Sequence, residues 1–167
     1  MEIEKKFQIL SLPENLEKYP KKEIEQGYLC TTPVVRIRKS NENYILTCKI
    51  DGSTKQEENL RVNQETEVEI GKEGYEHLKQ KIDGNLICKT RYILPLENGL
   101  KAELDVFHGA FEGLVFVEVE FPDVETAMKF EKPEWFGIDV SDDYHYSNSY
   151  LSTVTLAKNG ENTYTIK

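Results

Sequence analysis

From Glu2 to Ile9 polar and apolar positions alternate: Glu2, Glu4 and Lys6 fall on one side of an extended backbone, and Ile3, Phe7 and Ile9 on the other. The same period of two returns in six further runs: TPVVRIRKS, NYILTCKID, NQETEVEIG, LICKTRYILPL, LKAELDVFHG and LVFVEVEFP. All are rich in β-branched or aromatic residues, which suits strands. Turn-forming residues separate them, at Pro13, Gly27, Pro33, Ser40 to Asn43, Asp51-Gly52, Asp83-Gly84-Asn85, Asn98-Gly99 and Gly109 to Gly113. Asn98-Gly99 between two strand-like flanks predicts a two-residue hairpin. Helical spacing is rarer. Tyr75, Leu78 and Ile82 share a stripe in 71–83, Val124, Ala127 and Met128 share one after the capping residue Asp123, and a third helix is expected after Ser141. The pattern therefore predicts a mainly antiparallel sheet with a few helices.

The apolar faces, expected to form the core, carry Ile3, Phe7, Val35, Ile37, Leu46, Cys48, Ile50, Val68, Ile70, Cys88, Tyr92, Leu104, Val106, Val117, Val119 and Phe121. The opposite faces carry Glu2, Glu4, Lys6, Arg36, Arg38, Lys49, Glu65, Glu67, Glu69, Lys89, Arg91, Glu103, Asp105, Glu118 and Glu120. For any one strand a solvated face is the ordinary explanation. Across seven strands, however, nearly every such position is a formal charge, where a water-facing sheet mixes in Thr, Ser and Gln. Three adjacent carboxylates on one strand repel each other unless a cation or a basic neighbour lies between them. Closing the sheet into a barrel would remove edge strands and gather nine carboxylates with six Lys or Arg in one lumen. Such a lumen suits a highly charged oxyanion on its bases and hard divalent cations, Mg²⁺ or Mn²⁺, on its acids.

Composition narrows the partners. A chain of 167 residues is expected to form one domain, and its formal charge of −9 argues against a general nucleic-acid or anionic-membrane surface. Cys30, Cys48 and Cys88 are too far apart for a CxxC metal or redox motif, so free thiols in a reducing compartment are expected. No apolar stretch approaches the roughly 18 residues of a membrane span, and a cytoplasmic protein is expected. Neither a Ser-His-Asp order, a P-loop nor an H-E-x-x-H motif occurs. Trp135, Phe136 and Phe107 are expected to pack, His77 to be solvated, and His108 to serve a turn.

The order of the charged motifs resembles one family. Glu2-x-Glu4-x-Lys6, Gln26-Gly27-Tyr28-Leu29, Arg36-x-Arg38, Thr47-x-Lys49, Glu67-x-Glu69, Lys89-x-Arg91, Glu103-x-Asp105-x-Phe107 and Glu118-x-Glu120 follow the pattern of the CYTH domains, or triphosphate tunnel metalloenzymes. The resemblance covers about residues 1–150, with 151–167 as a C-terminal extension of the same domain or a loosely ordered tail. PEWFGIDVSDDYHYSNSYL is similar to the C-terminal segment of the bacterial, tripolyphosphatase-like branch, although His145 stands where an Arg is common. The resemblance implies an α+β, mainly antiparallel fold: a closed eight-stranded tunnel with a charged lumen and helices packed outside. It further implies that Glu2, Glu4, Glu67, Glu69, Asp105, Glu118 and Glu120 hold Mg²⁺ or Mn²⁺, with the frame of the 65/67/69 run left open. On the same basis Lys6, Arg36, Arg38, Lys49, Lys89 and Arg91 grip phosphates, and Glu2, Glu4, Lys6 and Asp105 serve catalysis. The expected activity is metal-dependent hydrolysis of a triphosphate, inorganic tripolyphosphate first, by a monomer or homodimer that binds neither nucleic acid nor membrane. The alternatives are a class IV-type adenylyl cyclase, a thiamine or nucleoside triphosphatase, and a non-catalytic binder of triphosphate or polyphosphate.

Overall fold

The structure, a computed structural model, describes residues 1–51, 60–156 and 166. These form strands β1 (Glu2–Ile9), β2 (Lys21–Thr31), β3 (Val34–Ser40), β4 (Asn43–Asp51), β5 (Arg61–Glu69), β6 (Asp83–Pro95), β7 (Lys101–Phe107), β8 (Val115–Glu120) and β9 (Phe136–Asp139). Three helices accompany them: α1 (Gly71–Lys79), α2 (Val124–Lys129) and α3 (Asn148–Thr153). Every pairing is antiparallel. Neighbours run β5-β4-β3-β2-β6-β7-β8-β1, and β1 pairs with β5 to close an eight-stranded barrel. The first residues of β1 hold β5, with Glu2 opposite Asn63, and its last residues hold β9, with Ile9 opposite Phe136.

Alternation decides what lies inside. With charges turned into the barrel, the apolar residues of β1, β7 and β8 face outward and must be covered. Ile3, Phe7, Leu104, Val117, Val119 and Phe121 form a buried layer with Ala127 of α2 and Phe136 of β9, and the Phe7 and Phe136 rings lie 5.1 Å apart. Each such side chain contributes roughly 1.5–3 kcal/mol by leaving water. A second apolar cluster fills one end of the barrel: Tyr28, Ile87, Phe107 and Phe116 from the wall meet Leu151 of α3. The segment 141–153 crosses that end. The other helices meet expectation in place if not in length: α1 stops at Lys79, and Asp123 caps α2 by accepting from the Thr126 amide. The turn after β6 is one residue longer than the expected two-residue hairpin: Pro95 pairs with Lys101, Leu96 N donates to the Leu100 carbonyl, and Glu97–Gly99 form a single 3-10 turn with Asn98 and Gly99 at φ 59° and 75°.

Several expectations need correction. The eighth wall strand, β2, escaped the alternation pattern because its polarity is inverted: Ile24 and Tyr28 face the lumen while Glu23 and Glu25 face out. A register shift between Tyr28 and Cys30 interrupts its period as well. Strand β9 was too short to register. Ile50 and Val68, expected in the core, are 56 and 54% exposed, because α1 covers the β4–β5 wall only near Tyr44, whose ring lies 5.4 Å from that of Tyr75. Gly52 and all of the tail from Lys158 except Ile166 lie outside the described residues. No helix among the described residues is long and apolar enough to cross a membrane.

Gly84, at φ +69°, opens β6 where α3 docks, and a Cβ there would stand 2.0 Å from the Ser152 carbonyl oxygen. Gly99 has the same backbone sense but open space around it. Urea denaturation should therefore separate the two: Gly84→Ala loses roughly 2–4 kcal/mol, Gly99→Ala only about 1 kcal/mol. Equal losses would contradict the close docking of α3.

Candidate active site

The barrel encloses a cavity of about 1250 Å³. Its lining includes Glu2, Glu4, Lys6, Arg36, Arg38, Lys49, Lys89, Arg91, Glu118 and Glu120, so most of the charges expected inside converge there. Of the acidic run on β5, Glu65 and Glu67 line it, whereas Glu69, opposite Ile45 and exposed, does not. Asp105 does not line it either. It is 1% exposed beneath the lumen cations, both oxygens taken by Arg91 (Nε 2.7 Å, Nη2 2.8 Å) and one also by Lys89 Nζ at 2.8 Å.

Strand register explains the pairings. Glu118 stands opposite Lys6, and Asp105 opposite Arg91, so acids and bases meet across the ladder. Lys6 Nζ lies 3.1 Å from Glu118 and donates to the Tyr146 carbonyl at 2.9 Å. Lys49 Nζ lies 2.9 Å from Glu2, and Arg91 also pairs with Glu103. The arginines of β3 are different. Arg36 reaches Thr47 Oγ1 at 3.2 Å and Arg38 reaches Gln26 Oε1 at 3.0 Å, and among the described residues neither has a carboxylate within ion-pair range. The buried Nε of Arg36 has no acceptor among the described residues. A buried guanidinium with an unmet donor is costly unless an anion arrives to take it.

The acids are crowded in a complementary way. Burial, then the charges of Glu118 and Glu2, push Glu4 up to about 8, and burial likewise raises Glu2 and Glu120. Glu118 lies beside Glu4 and Glu65 beside Glu2, so each raised carboxyl has another acid as a neighbour. Glu118 itself stays ionised well below the usual carboxylate range, since Lys6 and Arg91 outweigh its burial. Against its own burial, Arg91 and Lys89 hold Asp105 at about 2. On the basic side, burial with Arg36 and Arg91 nearby lowers Arg38 to about 9, and burial with Arg91 and Arg38 lowers Lys89 to about 7 despite Asp105.

Side chains that the charge pattern missed complete the wall. Arg61 lines the cavity, donates from Nε to the Ser141 carbonyl at 2.6 Å and lies 4.0 Å from Glu4; it continues the β5 alternation one step before the expected start of that strand. Gln26, Thr47 and Asn148 are neutral and left no charge signal. Trp135, Phe136 and Phe107 pack as expected, while His108 Nε2 lies 2.6 Å from Thr90 Oγ1 on the outside of the barrel. His145 is held by Asp143 at 2.7 Å rather than by the lumen. Among the described residues no three acids, His or Cys are gathered tightly enough to cage an ion by themselves.

The chain is similar to known proteins in sequence and in fold. The chain is 36% identical over 156 residues to the inorganic triphosphatase of Nitrosomonas europaea, covering 90% of this chain and 96% of that protein. It is 38% identical over 128 residues to the inorganic triphosphatase of Acetivibrio thermocellus, covering 75% and 77%. A crystal structure of an inorganic triphosphatase superposes with a TM-score of 0.68 at 32% identity, over 94% of this chain and 97% of that one. A Hippeastrum protein described as a putative adenylyl cyclase with a dominant triphosphatase activity shares the fold, with a TM-score of 0.55 at 18% identity over 77% of this chain and 83% of that one. No model of a known protein family matches the chain.

The raised pKa of Glu4 has a consequence for stability. Below about pH 4.5 its carboxyl is neutral folded or unfolded; between there and about 8 the unfolded chain releases the proton and the folded one keeps it, so stability falls as pH rises. Glu4→Gln, neutral and able to donate to Glu118, should stabilise the protein at pH 7.5 in chelator by on the order of 1–3 kcal/mol, with the gain fading toward pH 4.5. A drop in melting temperature at pH 7.5 would contradict the assignment.

Proposed function

This chain belongs to the inorganic triphosphatase family, and on that premise we propose that it hydrolyses inorganic tripolyphosphate to pyrophosphate and phosphate inside its barrel. The observation that carries the proposal is the separation of charge in the lumen. Among the described residues Arg36 and Arg38 on β3 lack a carboxylate within ion-pair range, and across the cavity Glu2, Glu4 and Glu120 crowd at raised pKa values. A polyanion alone would suit only the first wall and a cation alone only the second. A phosphate chain carrying divalent metal suits both.

Arg36, Arg38, Lys49, Lys6, Lys89 and Arg91 bind the phosphates on this reading, the two β3 arginines with free donors and the others by exchanging a carboxylate for a phosphate oxygen. The acids fit Mg²⁺ or Mn²⁺ by donor type: hard oxygens, with Glu2 and Glu4 raised by burial and by their acidic neighbours. Their spacing leaves an ion to be completed by phosphate oxygens and water, as is usual for Mg²⁺. Glu2, Glu4, Glu118 and Glu120, with Glu65 or Glu67, would hold the metal, which when bound neutralises developing charge and lowers the pKa of water. Asp105 acts through Arg91 and Lys89, fixing both cations for the displacement. The bases neutralise the leaving pyrophosphate, and the apolar end around Phe107 and Phe116 keeps water from that side. The three free cysteines support a reducing, cytoplasmic setting.

Phosphate release from tripolyphosphate should require Mg²⁺ or Mn²⁺ and stop in EDTA; full turnover in chelator would remove the metal from the account. Tripolyphosphate should exceed ATP, GTP and CTP, which should be handled alike, since it presents an extra terminal charge and no base. Arg38→Ala should lower kcat/KM on all four by a similar factor, about ten- to a hundredfold. Preference for ATP with cyclic AMP as product would favour the cyclase instead.

A further inference from the structure

Asn148, the first residue of α3, belongs to no charged motif, yet it lines the cavity beside Lys89. Its Oδ1 accepts from Lys89 Nζ at 3.2 Å, while Asp105 takes the same ammonium at 2.8 Å. An ammonium only donates, so the amide has one admissible orientation: oxygen toward Lys89, NH₂ away from it. That NH₂ has no hydrogen-bond partner among the described residues, and Asn148 lines the cavity, to which the amide is available. The hydroxyls flanking it are already committed: Ser147 Oγ donates to the Tyr144 carbonyl and accepts from the Tyr150 amide, and Ser149 Oγ lies 3.2 Å from Ser147 Oγ.

We infer that Asn148 is a substrate-binding residue, a neutral donor that contacts a phosphate oxygen beside Lys89 and is aimed there by Lys89 itself. A neutral donor has a use in this place. Lys89 and its neighbours Arg91 and Arg38 already gather positive charge, which adds to burial in lowering Lys89 and Arg38, so another cation would repel them where an amide does not. The donor also sits on α3, the element that crosses the end of the barrel, which gives that helix a part in recognition as well as in closing the core. This inference rests on the proposed binding of tripolyphosphate in the lumen.

Two substitutions separate contact from mere support of Lys89. Asn148→Asp keeps an acceptor for Lys89 and turns a carboxylate oxygen toward the phosphates, and Asn148→Ala loses both functions. With tripolyphosphate and Mg²⁺, substrate contact predicts that Asp is the worse variant, with KM at least tenfold above that of Ala and melting temperatures near wild type. If Asn148 only anchors Lys89, the order reverses: Asp retains nearly full activity and Ala is impaired, which overturns the inference. Should Asp fail to fold, the side-chain amide resonance of Asn148 in the wild-type protein decides. It must shift on adding tripolyphosphate in chelator, and an unmoved resonance at saturation overturns the inference. A wild type that neither binds nor hydrolyses tripolyphosphate would instead overturn the function on which it rests.

Discussion

Everything in this fold depends on holding about fifteen formal charges inside one closed barrel. A buried charge is tolerated only when it is paired or awaits a ligand. The antiparallel ladder supplies the pairing geometrically, since acids on β7 and β8 stand opposite bases on β6 and β1. Closure through β1 and β5 then forces the apolar faces outward, and the outer layer of Phe7, Phe121, Phe130 and Phe136 stabilises what the lumen destabilises. The larger part of this protein's core lies outside its barrel because its site lies within.

Pairing is not uniform, and the departures are where function concentrates. Lys6, Lys89 and Arg91 are paired with Glu118, Asp105 and Glu103, and are tied to the C-terminal segment by Tyr146 and Asn148. Above them the β3 arginines have no carboxylate within ion-pair range among the described residues, and burial with the charges of Glu118 and Glu2 raises Glu4. Both conditions are unfavourable in the free protein and both are relieved by one metal-bearing polyphosphate. Such stored imbalance trades stability for affinity.

Most of this was legible in the chain because charge on a strand is a strong signal with a period of two. Glu2, Glu4 and Lys6 could be placed on one face from ten residues. What stayed hidden was of three kinds. Strand β2 carries its acids outward and Ile24 and Tyr28 inward, the reverse of every other wall strand, so its polarity argued against it. Gln26, Thr47 and Asn148 contribute dipoles, and a neutral side chain on a charged wall looks like filler until its partner is known. Arg61, and the distinction between Glu67 and Glu69, depend on where a strand starts and where the cavity ends, which alternation alone does not fix.

The central claim is that one lumen receives phosphate on its β3 side and metal on its acidic side. Diffraction from a crystal soaked with tripolyphosphate and Mn²⁺, recorded for the anomalous signal of manganese, tests it most directly. The account predicts phosphate density against Arg36 and Arg38 and an anomalous peak between that density and the carboxylates of Glu2, Glu4, Glu118 and Glu120. Tripolyphosphate bound outside the barrel, or manganese seated away from those acids, would contradict it.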